Sequence, residues 1–173
     1  MLAPHAGHAE CPTCGGLLEL RRAPPALHGP ALARLFAGRR GALDGADASG
    51  VWRFRELLAA ADGDVITFPE GNTPLLDGGI AARWAGIPGL RLKHEGLNPT
   101  GSFKDRGMTV GITQARLIGA RAVACASTGN TAASLAAYAA RAGVPALVCI
   151  PAHRVALGKL AQALAYGART LLV

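Results

Sequence analysis

Two short polar segments carry the residue types best suited to chemistry in this chain of 173 residues. The first is Asn98-Pro-Thr-Gly-Ser-Phe-Lys-Asp-Arg106, in which Lys104 lies at the start of a predicted helix. A lysine in the first turn of a helix faces the positive end of the helix dipole, which favours its uncharged amine. The uncharged amine is the form that a Schiff-base or proton-transfer lysine uses. A solvated surface lysine is the alternative interpretation of the same position.

The second segment is Ser127-Thr-Gly-Asn-Thr131, between an apolar run that predicts a strand and a longer one that predicts a helix. Free backbone N–H groups at a helix N-terminus bind anions. The hydroxyls of Ser127, Thr128 and Thr131 would add donors, and Gly129 lets the backbone approach a ligand closely. The segment therefore predicts a carboxylate or phosphate site. Simple N-capping of the helix by Thr128 or Asn130 is the alternative.

The elements that must position these segments alternate regularly from residue 90 onward. Alternation of Leu90, Leu92 and His94 with charged residues predicts a short strand at 90–94, and apolar runs predict strands at 122–126, 146–150 and 170–173. Apolar spacing predicts helices after Gly101, over 132–142 and from Leu157 to Gly167. Near-continuous apolar strands are buried on both faces, which indicates an α/β fold with an open, mostly parallel sheet and helices on both faces. Ligands bind such sheets beyond the carboxyl ends of the strands, where both polar segments fall.

Two of these helices have a side that the spacing predicts to face the core. In the first helix these residues are Met108, Gly111, Ile112, Ala115 and Ile118, and in the last they are Leu157, Leu160, Ala161 and Leu164. Ser102 and Asp105 have the spacing of a capping box, with Asp in place of Glu or Gln. Because aromatic residues make up only 5% of the chain, the core is predicted to consist of Ala, Leu and Val.

Composition excludes several classes of protein. Hydrophobic residues at 50% and charged residues at 17% exclude intrinsic disorder. The net charge of +7 is spread along the chain and is compatible with an anionic small molecule or with nucleic acid. The longest apolar stretch, 131–152, contains Arg141, Gly143 and Pro145, which argues against a membrane span. Without a secretory signal or a disulfide scaffold, the sequence predicts a cytoplasmic protein with buried thiols at Cys125 and Cys149.

The chain divides at residue 50 by pattern. Residues 1–50 are interpreted as an irregular N-terminal segment, and 51–173 as the second unit. At the start of that unit, Val51–Ala61 is predicted to form a short helix. Glu70–Leu75 is predicted to form a turn that leads into an extended segment, because Pro74 disfavours helix at Thr73.

The N-terminal segment contains Cys11-Pro-Thr-Cys14-Gly-Gly, which is half of a zinc-ribbon pattern. A closed zinc site needs four ligands, and the chain has no second CxxC. Adding His5 and His8 would pack four ligands into ten residues, which is a cramped geometry. We therefore predict no bound metal.

Together these motifs resemble the tryptophan-synthase-β-like (fold type II) enzymes, which use pyridoxal phosphate, and within them the threonine synthases. The segment from Lys93 to Met108 is similar to the cofactor-lysine segment of that family. The other matching motifs, in the family's order, are Trp52-Arg-Phe-Arg-Glu-Leu-Leu58, Glu70-Gly-Asn-Thr-Pro-Leu75, Ser127-Thr-Gly-Asn-Thr-Ala132 and Gly158-Lys-Leu-Ala-Gln162. The resemblance extends from about Glu10 to the end of the chain.

The resemblance implies a role for each matching residue. Lys104 would bind pyridoxal phosphate covalently, and Asn130 would hydrogen-bond the ring hydroxyl of this cofactor. The carboxylate or phosphate of a substrate would be bound by Ser127, Thr128, Gly129 and Thr131. The turn around the lysine would be shaped by Phe103, Asp105 and Arg106. Lys159 also matches a family position, with a surface or substrate-proximal place expected for it.

The implied reaction is that of threonine synthase, in which O-phosphohomoserine loses its γ-phosphate and water adds at Cβ to give threonine. The implied partner is a small phosphorylated amino-acid substrate, without nucleic acid or membrane, and a homodimer is compatible with the sequence. The family's phosphate loop and its contact to the ring nitrogen come from later segments. We therefore expect this chain to be truncated at its C-terminus and to bind the cofactor weakly or not at all by itself.

Three other functions stay open. Threonine dehydratase or a related β-replacement enzyme shares the lysine and the Ser-Gly-Asn-like loop, although the lysine segment and the leading CxxC favour threonine synthase. A zinc-ribbon protein that binds nucleic acid is suggested by the CxxC and the charge of +7, but basic and aromatic residues are not clustered. The third open function is that of a catalytically inactive fragment.

Overall fold

The computed structural model describes residues 10–19, 21, 23–58, 63–151 and 157–173. The helices are α1 (Gly29–Gly38), α2 (Gly79–Ala85), α3 (Lys104–Leu117), α4 (Asn130–Ala142) and α5 (Leu157–Ala165). The strands are β1 (Leu75–Asp77), β2 (Arg91–Lys93), β3 (Val123–Ala126), β4 (Ala146–Ile150) and β5 (Arg169–Leu172). Short 3₁₀ helices lie at Ala46–Ala48, Trp52–Leu57 and Glu95–Leu97. None of the helices in this described part is both long and apolar enough to cross a membrane.

The parallel sheet predicted for the second half of the chain is confirmed. Strands β3, β4 and β5 are adjacent in that order and both pairs are parallel. Helix α4 packs on β3 and β4 and lies between α3 and α5. The central strand β4 turns Ala146, Val148 and Ile150 into the core. The chain therefore has the α/β fold that the alternation of apolar runs predicted.

The first predicted strand, however, does not belong to this sheet. Strand β2 pairs antiparallel with β1 in a separate two-stranded sheet, with Leu76 opposite Leu92. All three residues of β2 are exposed. The alternation of Leu90 and Leu92 with charged residues is typical of an antiparallel strand with a solvated face, whereas β4 has the continuous apolar run of a parallel one. The loop after β2 therefore does not lie at the carboxyl end of a strand of the parallel sheet.

The core is rich in alanine, but its largest fully buried side chains are aromatic. Eight consecutive residues of α4, Ala132 to Ala139, are buried, as the apolar pattern of this helix predicted. Trp52 and Tyr138 are both 0% exposed, so a core of Ala, Leu and Val alone was wrong. The polar group of each buried ring forms a hydrogen bond: Trp52 Nε1 donates to Thr109 Oγ1 at 2.7 Å, and Tyr138 OH donates to Glu70 Oε2 at 2.7 Å.

Helix α3 buries a polar side. Its buried residues are Asp105, Thr109, Ile112 and Thr113. Of the five residues predicted to face the core, Ile112 is buried and Met108 packs against the core, whereas Ile118 is 48% exposed. The threonine hydroxyls bond the segment before β1, with Thr109 Oγ1 donating to Ile66 O at 2.6 Å and Thr113 Oγ1 accepting from Ile66 N at 2.9 Å. These polar partners turn the helix away from the side that apolar spacing indicated.

Two further predictions of burial are corrected. In α5 the inner side passes through Leu160 and Ala163, whereas Ala161 and Leu164 are exposed. The contact of α5 with α4 decides this side, which apolar spacing misplaces by about one residue.

Strand β3 is only partly buried, because β4 is the only strand that pairs with it among the described residues. The thiols of Cys125 and Cys149 are partly buried and free.

The N-terminal third is more regular than its pattern indicated. Helix α1 lies in the segment interpreted as irregular, and its half-buried Phe36 packs edge-on against Phe54 at 4.9 Å between ring centroids. The helix predicted over 51–61 is a 3₁₀ helix at Trp52–Leu57, and residues 59–61 lie outside the described part. The predicted division at residue 50 stays a prediction.

Candidate functional site

Lys104 is the first residue of α3, and its side chain is exposed. Its Nζ lies 4.9 Å from the centroid of the Phe103 ring, which is itself 55% exposed. Among the described residues the amine has no carboxylate partner. The amine of Lys104 is therefore accessible, as a lysine that must react with a carbonyl compound has to be.

Asp105, the next residue, fixes the turn that precedes Lys104. Its carboxylate is fully buried and accepts hydrogen bonds from Thr100 N at 2.7 Å, Thr100 Oγ1 at 2.5 Å and Ser134 Oγ at 2.5 Å. The predicted capping box was wrong, because Asp105 bonds Thr100 instead of the backbone of Ser102. Ser102 Oγ instead accepts from Lys104 N at 3.3 Å. These bonds hold the turn to the body of the protein.

The second polar segment is the loop between β3 and α4. Gly129 occupies the N-cap position, and no side chain caps the helix. N-capping by Thr128 or Asn130 is therefore excluded, because no side chain accepts a capping hydrogen bond at this helix start. Ser127 Oγ accepts the N–H of Gly129 at 3.2 Å. The hydroxyls of Thr128 and Thr131 thus have no capping role in this loop.

The side chain of Asn130 has an oxygen atom that lacks a hydrogen-bond donor. Its Oδ1 atom is buried and has no hydrogen-bond partner in the described part of the chain. A buried carbonyl oxygen without a donor costs about 1–3 kcal/mol relative to one that is bonded. An atom of this kind, beside a loop of hydroxyl groups, is where a ligand that donates a hydrogen bond would be expected.

The fold brings the two polar segments to the same end of the molecule. The bond between Asp105 and Ser134 joins the first turn of α3 to the second turn of α4. Gln162 Nε2 donates to Thr100 O at 3.2 Å and so joins α5 to the lysine turn. Ser127 and Thr128 open onto a narrow crevice whose other walls are formed by Ala132, Val148, Ile150, Leu160 and Ala163.

Two ion and hydrogen-bond networks support this arrangement and were not predicted. In the first, Arg106 Nε and Nη2 each lie 2.8 Å from the Glu95 carboxylate, which also accepts from Thr73 Oγ1 at 2.8 Å. The hydrogen bonds from Arg106 lower the pKa of Glu95 to about 2 despite the opposing effect of burial. Asn98 links this pair to the preceding turn, since its Oδ1 accepts from Gly71 N at 2.9 Å.

The second network surrounds Glu70, whose carboxylate is completely buried. It accepts hydrogen bonds from Ser49 Oγ, Thr67 Oγ1, the backbone N–H of Phe68 and Tyr138 OH. Sequence reasoning identified Glu70 only as part of a turn. A glutamate next to a glycine gives no periodic signal, and two of its four donors, Ser49 and Tyr138, come from distant parts of the chain.

Other residues of interest lie partly outside the described structure. The backbone of Lys159 belongs to α5, while its side chain is not described. His5 and His8 lie outside the described residues. No group of three or more metal-ligating side chains occurs within the described ranges.

Residues 66–173 match the family described as pyridoxal-phosphate dependent enzyme. The chain is 55% identical over 121 residues to a threonine synthase of Methanosarcina acetivorans and 54% identical over 125 residues to one of Methanocaldococcus jannaschii. These matches cover 70% and 72% of the chain but only 30% and 31% of the relatives. The chain thus spans about a third of the length of the curated relatives it matches.

Solved structures with a similar fold include a pyridoxal 5'-phosphate-dependent aspartate racemase and a serine racemase of maize. Both have a TM-score of 0.52, with sequence identities of 30% and 29%. The aspartate racemase match covers 58% of this chain and 32% of the racemase, and the maize match covers 59% and 31%. The family match at residues 66–173 includes both polar segments.

Proposed function

Because the chain belongs to the pyridoxal-phosphate dependent enzyme family, we propose that Lys104 binds pyridoxal phosphate and that the protein acts as a threonine synthase on O-phosphohomoserine. The substrate proposal is supported by relatives that are more than 50% identical over about 70% of the chain and are named threonine synthase. The observation that carries the site is the unpartnered Oδ1 of Asn130, at the same end of the fold as Lys104.

The residues present fit the proposed cofactor. The amine of Lys104 is exposed and free to react with an aldehyde. The ring hydroxyl of pyridoxal phosphate can donate the hydrogen bond that Asn130 Oδ1 lacks. The loop of Ser127, Thr128 and Thr131 at the start of α4 provides hydroxyl groups and helix N–H groups for an anionic substrate group.

When bound, the cofactor supplies an electron sink for carbanions formed at the substrate. In the proposed reaction, Lys104 Nζ removes and returns protons at the substrate carbons. The exposed amine of Lys104 would be accessible for this proton transfer. The loop at Ser127–Thr131 holds the carboxylate or phosphate in place, and Asp105 keeps the lysine turn at a fixed position.

The chain offers a direct test, because it contains only three lysines, Lys93, Lys104 and Lys159. Pyridoxal phosphate is added to the purified chain, borohydride fixes any Schiff base, and peptide mass spectrometry maps the modified lysine. We expect modification mainly at Lys104 and its loss in Lys104→Ala. Lys93→Ala is the matched control, since Lys93 Nζ instead hydrogen-bonds Thr73 O. Equal modification of all three lysines would refute the assignment of Lys104.

The substrate is tested separately with a full-length form of the protein, because the chain by itself is expected to bind the cofactor weakly or not at all. Formation of threonine and phosphate from O-phosphohomoserine is the expected result, and deamination of threonine without that reaction would favour the dehydratase instead. Thr128→Ala is expected to raise the KM for O-phosphohomoserine and leave the melting temperature nearly unchanged, because Thr128 makes no capping bond. Lower stability with unchanged kinetics would show that the loop serves the fold alone. Cytoplasmic location and a homodimer stay predictions of the sequence.

A further inference from the structure

Ser134 is a polar residue within a buried, apolar stretch of α4. The buried residues from Ala132 to Ala139 are alanine or leucine except for Ser134 and Tyr138, and Ser134 is 0% exposed. Serine is a weaker helix former than alanine, because its hydroxyl competes for backbone hydrogen bonds. Neither helix propensity nor burial therefore favours a hydroxyl at this position, and the role of Ser134 depends on the partner of that hydroxyl.

The partner of Ser134 is the carboxylate of Asp105, the residue that follows Lys104. Ser134 Oγ donates to Asp105 Oδ1 at 2.5 Å, and both residues are 0% exposed. No ion pair within the described ranges includes Asp105, and hydrogen bonds stabilise its carboxylate. Two of these bonds come from Thr100 in the same turn, whereas the bond from Ser134 comes from another helix. Ser134 therefore ties the lysine turn to α4.

The helix that carries Ser134 also carries Asn130, whose buried Oδ1 atom has no donor in the described part of the chain. Residues four apart in a helix lie on the same side, about 6 Å apart along the axis. Asn130 and Ser134 therefore share a side of α4. On α3, Asp105 is the neighbour of Lys104. The bond from Ser134 to Asp105 thus fixes the start of α3 against the side of α4 that carries Asn130.

We propose that Ser134 is a positioning residue for the cofactor. Its bond to Asp105 sets the place of the lysine turn, so that Lys104 Nζ reaches the aldehyde of pyridoxal phosphate while Asn130 Oδ1 accepts from the ring hydroxyl. This role of Ser134 rests on the proposed function, in which Lys104 binds the cofactor. In Ser134→Ala the two bonds from Thr100 keep the shape of the turn, but the turn is no longer held to α4.

The test measures how readily Lys104 of the full chain reacts with pyridoxal phosphate. The amine and the aldehyde condense with loss of water, and borohydride reduces the resulting C=N bond to a stable amine. Peptide mass spectrometry then gives the modified fraction of Lys104 at each cofactor concentration after a fixed time. Weak binding is sufficient, because the reduction makes each modification permanent.

We expect Ser134→Ala to raise the cofactor concentration for half modification of Lys104 by about three- to tenfold, the effect of losing one ordinary hydrogen bond. Lys93, whose Nζ bonds Thr73 O, is the internal reference, and its modification should not change. Ser134→Cys fills nearly the same space with a weaker donor and should cause a smaller increase. This second variant replaces Ser134→Ala if circular dichroism shows that the alanine variant does not fold.

A double-mutant cycle shows whether Ser134 acts through the place of Lys104 relative to Asn130. Asn130→Ala should raise the concentration for half modification by a similar factor. Adding Ser134→Ala to Asn130→Ala should then have little further effect. Two effects that simply add would overturn the proposal, because Ser134 would then act independently of Asn130.

Ser49→Ala is the matched control for a loss of stability alone. Ser49 is also 0% exposed and donates its hydroxyl to a buried carboxylate, but this carboxylate belongs to Glu70, outside the lysine turn. The control should lower the melting temperature, as Ser134→Ala does, and leave the modification of Lys104 unchanged.

An unchanged concentration for half modification in Ser134→Ala, or an equal increase in Ser49→Ala, would overturn the positioning role of Ser134. Preferential modification of Lys104 in the original chain would still support the proposed function in that case. If Lys104 of the original chain is not modified preferentially, both the proposed function of Lys104 and the role of Ser134 are overturned.

Discussion

Replacing Tyr138 by phenylalanine should destabilise the chain by about 1.5–3 kcal/mol, the usual contribution of a hydrogen bond to a charged group. Tyr138 OH donates to Glu70 Oε2 at 2.7 Å, and both residues are 0% exposed. Burial and the Glu70 carboxylate raise the pKa of Tyr138, so its hydroxyl stays a donor at any working pH. The variant leaves Glu70 with three of its four donors, at a position without solvent exposure.

Other contributions to this change are small. The ring of Tyr138 packs edge-on against Phe68 at 5.1 Å between centroids, and phenylalanine keeps this contact. The hydroxyl leaves a cavity of one oxygen atom at most. For a chain of this length, 1.5–3 kcal/mol corresponds to a fall in the melting temperature of about 3–12 °C.

The assay is urea unfolding followed by circular dichroism, with Tyr166→Phe as the matched control. Tyr166 is 38% exposed, and its hydroxyl has no partner among the described residues. A change within about 0.5 kcal/mol is expected for this control, as for most surface substitutions. If Tyr138→Phe costs no more than Tyr166→Phe, the Glu70 carboxylate is not held by the buried network, and the reasoning is refuted.

Two further predictions concern backbone packing and pH. Gly50→Ala should abolish stable folding, because the added Cβ would lie 2.1 Å from the backbone N of Asn72. Gly111→Ala, whose Cβ would meet no atom within 4 Å, should stabilise the protein by about 0.5–1 kcal/mol. Equal melting temperatures of the two variants would contradict this prediction. The pKa of Glu95 is lowered from 4.5 to about 2, so its contribution to stability is present above pH 4.5 and is lost as pH falls towards 2. Glu95→Gln, which weakens the pairing with Arg106, should flatten that acid dependence in unfolding measured between pH 6 and 2, and an unchanged slope would refute the assignment.

Elements defined by local pattern were predictable from the sequence, and those defined by partners were not. The apolar run of α4 and the strand at Ala146–Ile150 were placed correctly, because none of the residues of the strand and few of the helix are exposed, which selects apolar residues at nearly every position. The partner of β2 was missed, because the alternation of its residues fits any strand with a solvated face. The inner side of α3 was predicted only in part, at Met108 and Ile112, because hydrogen bonds between Thr109, Thr113 and the segment at Ile66 decide the rest of it.

The same distinction applies to the candidate site. The lysine turn and the Ser127–Thr131 loop were identifiable, since each combines reactive or polar side chains with a glycine at the start of a helix. The resemblance gave Asp105 a role in the turn around the lysine, but the burial of Asp105 and of Glu70 was not predicted. Each of these carboxylates also accepts hydrogen bonds from distant segments, at Ser49 and Tyr138 for Glu70 and at Ser134 for Asp105. Sequence spacing contains no information on those distant donors until the fold is known.

The polar side of α3 has a consequence for how accurately Lys104 can be placed. A helix that packs only through apolar side chains can shift along its axis at little cost, because dispersion and burial change little when one methyl group replaces another as neighbour. Directional bonds do not, and a shift of α3 by one residue, about 1.5 Å along its axis, would break the bonds of Thr109 and Thr113 together. These hydrogen bonds therefore fix the position of α3 along its axis relative to the rest of the protein. Because Lys104 is the first residue of α3, they fix the position of its backbone as well.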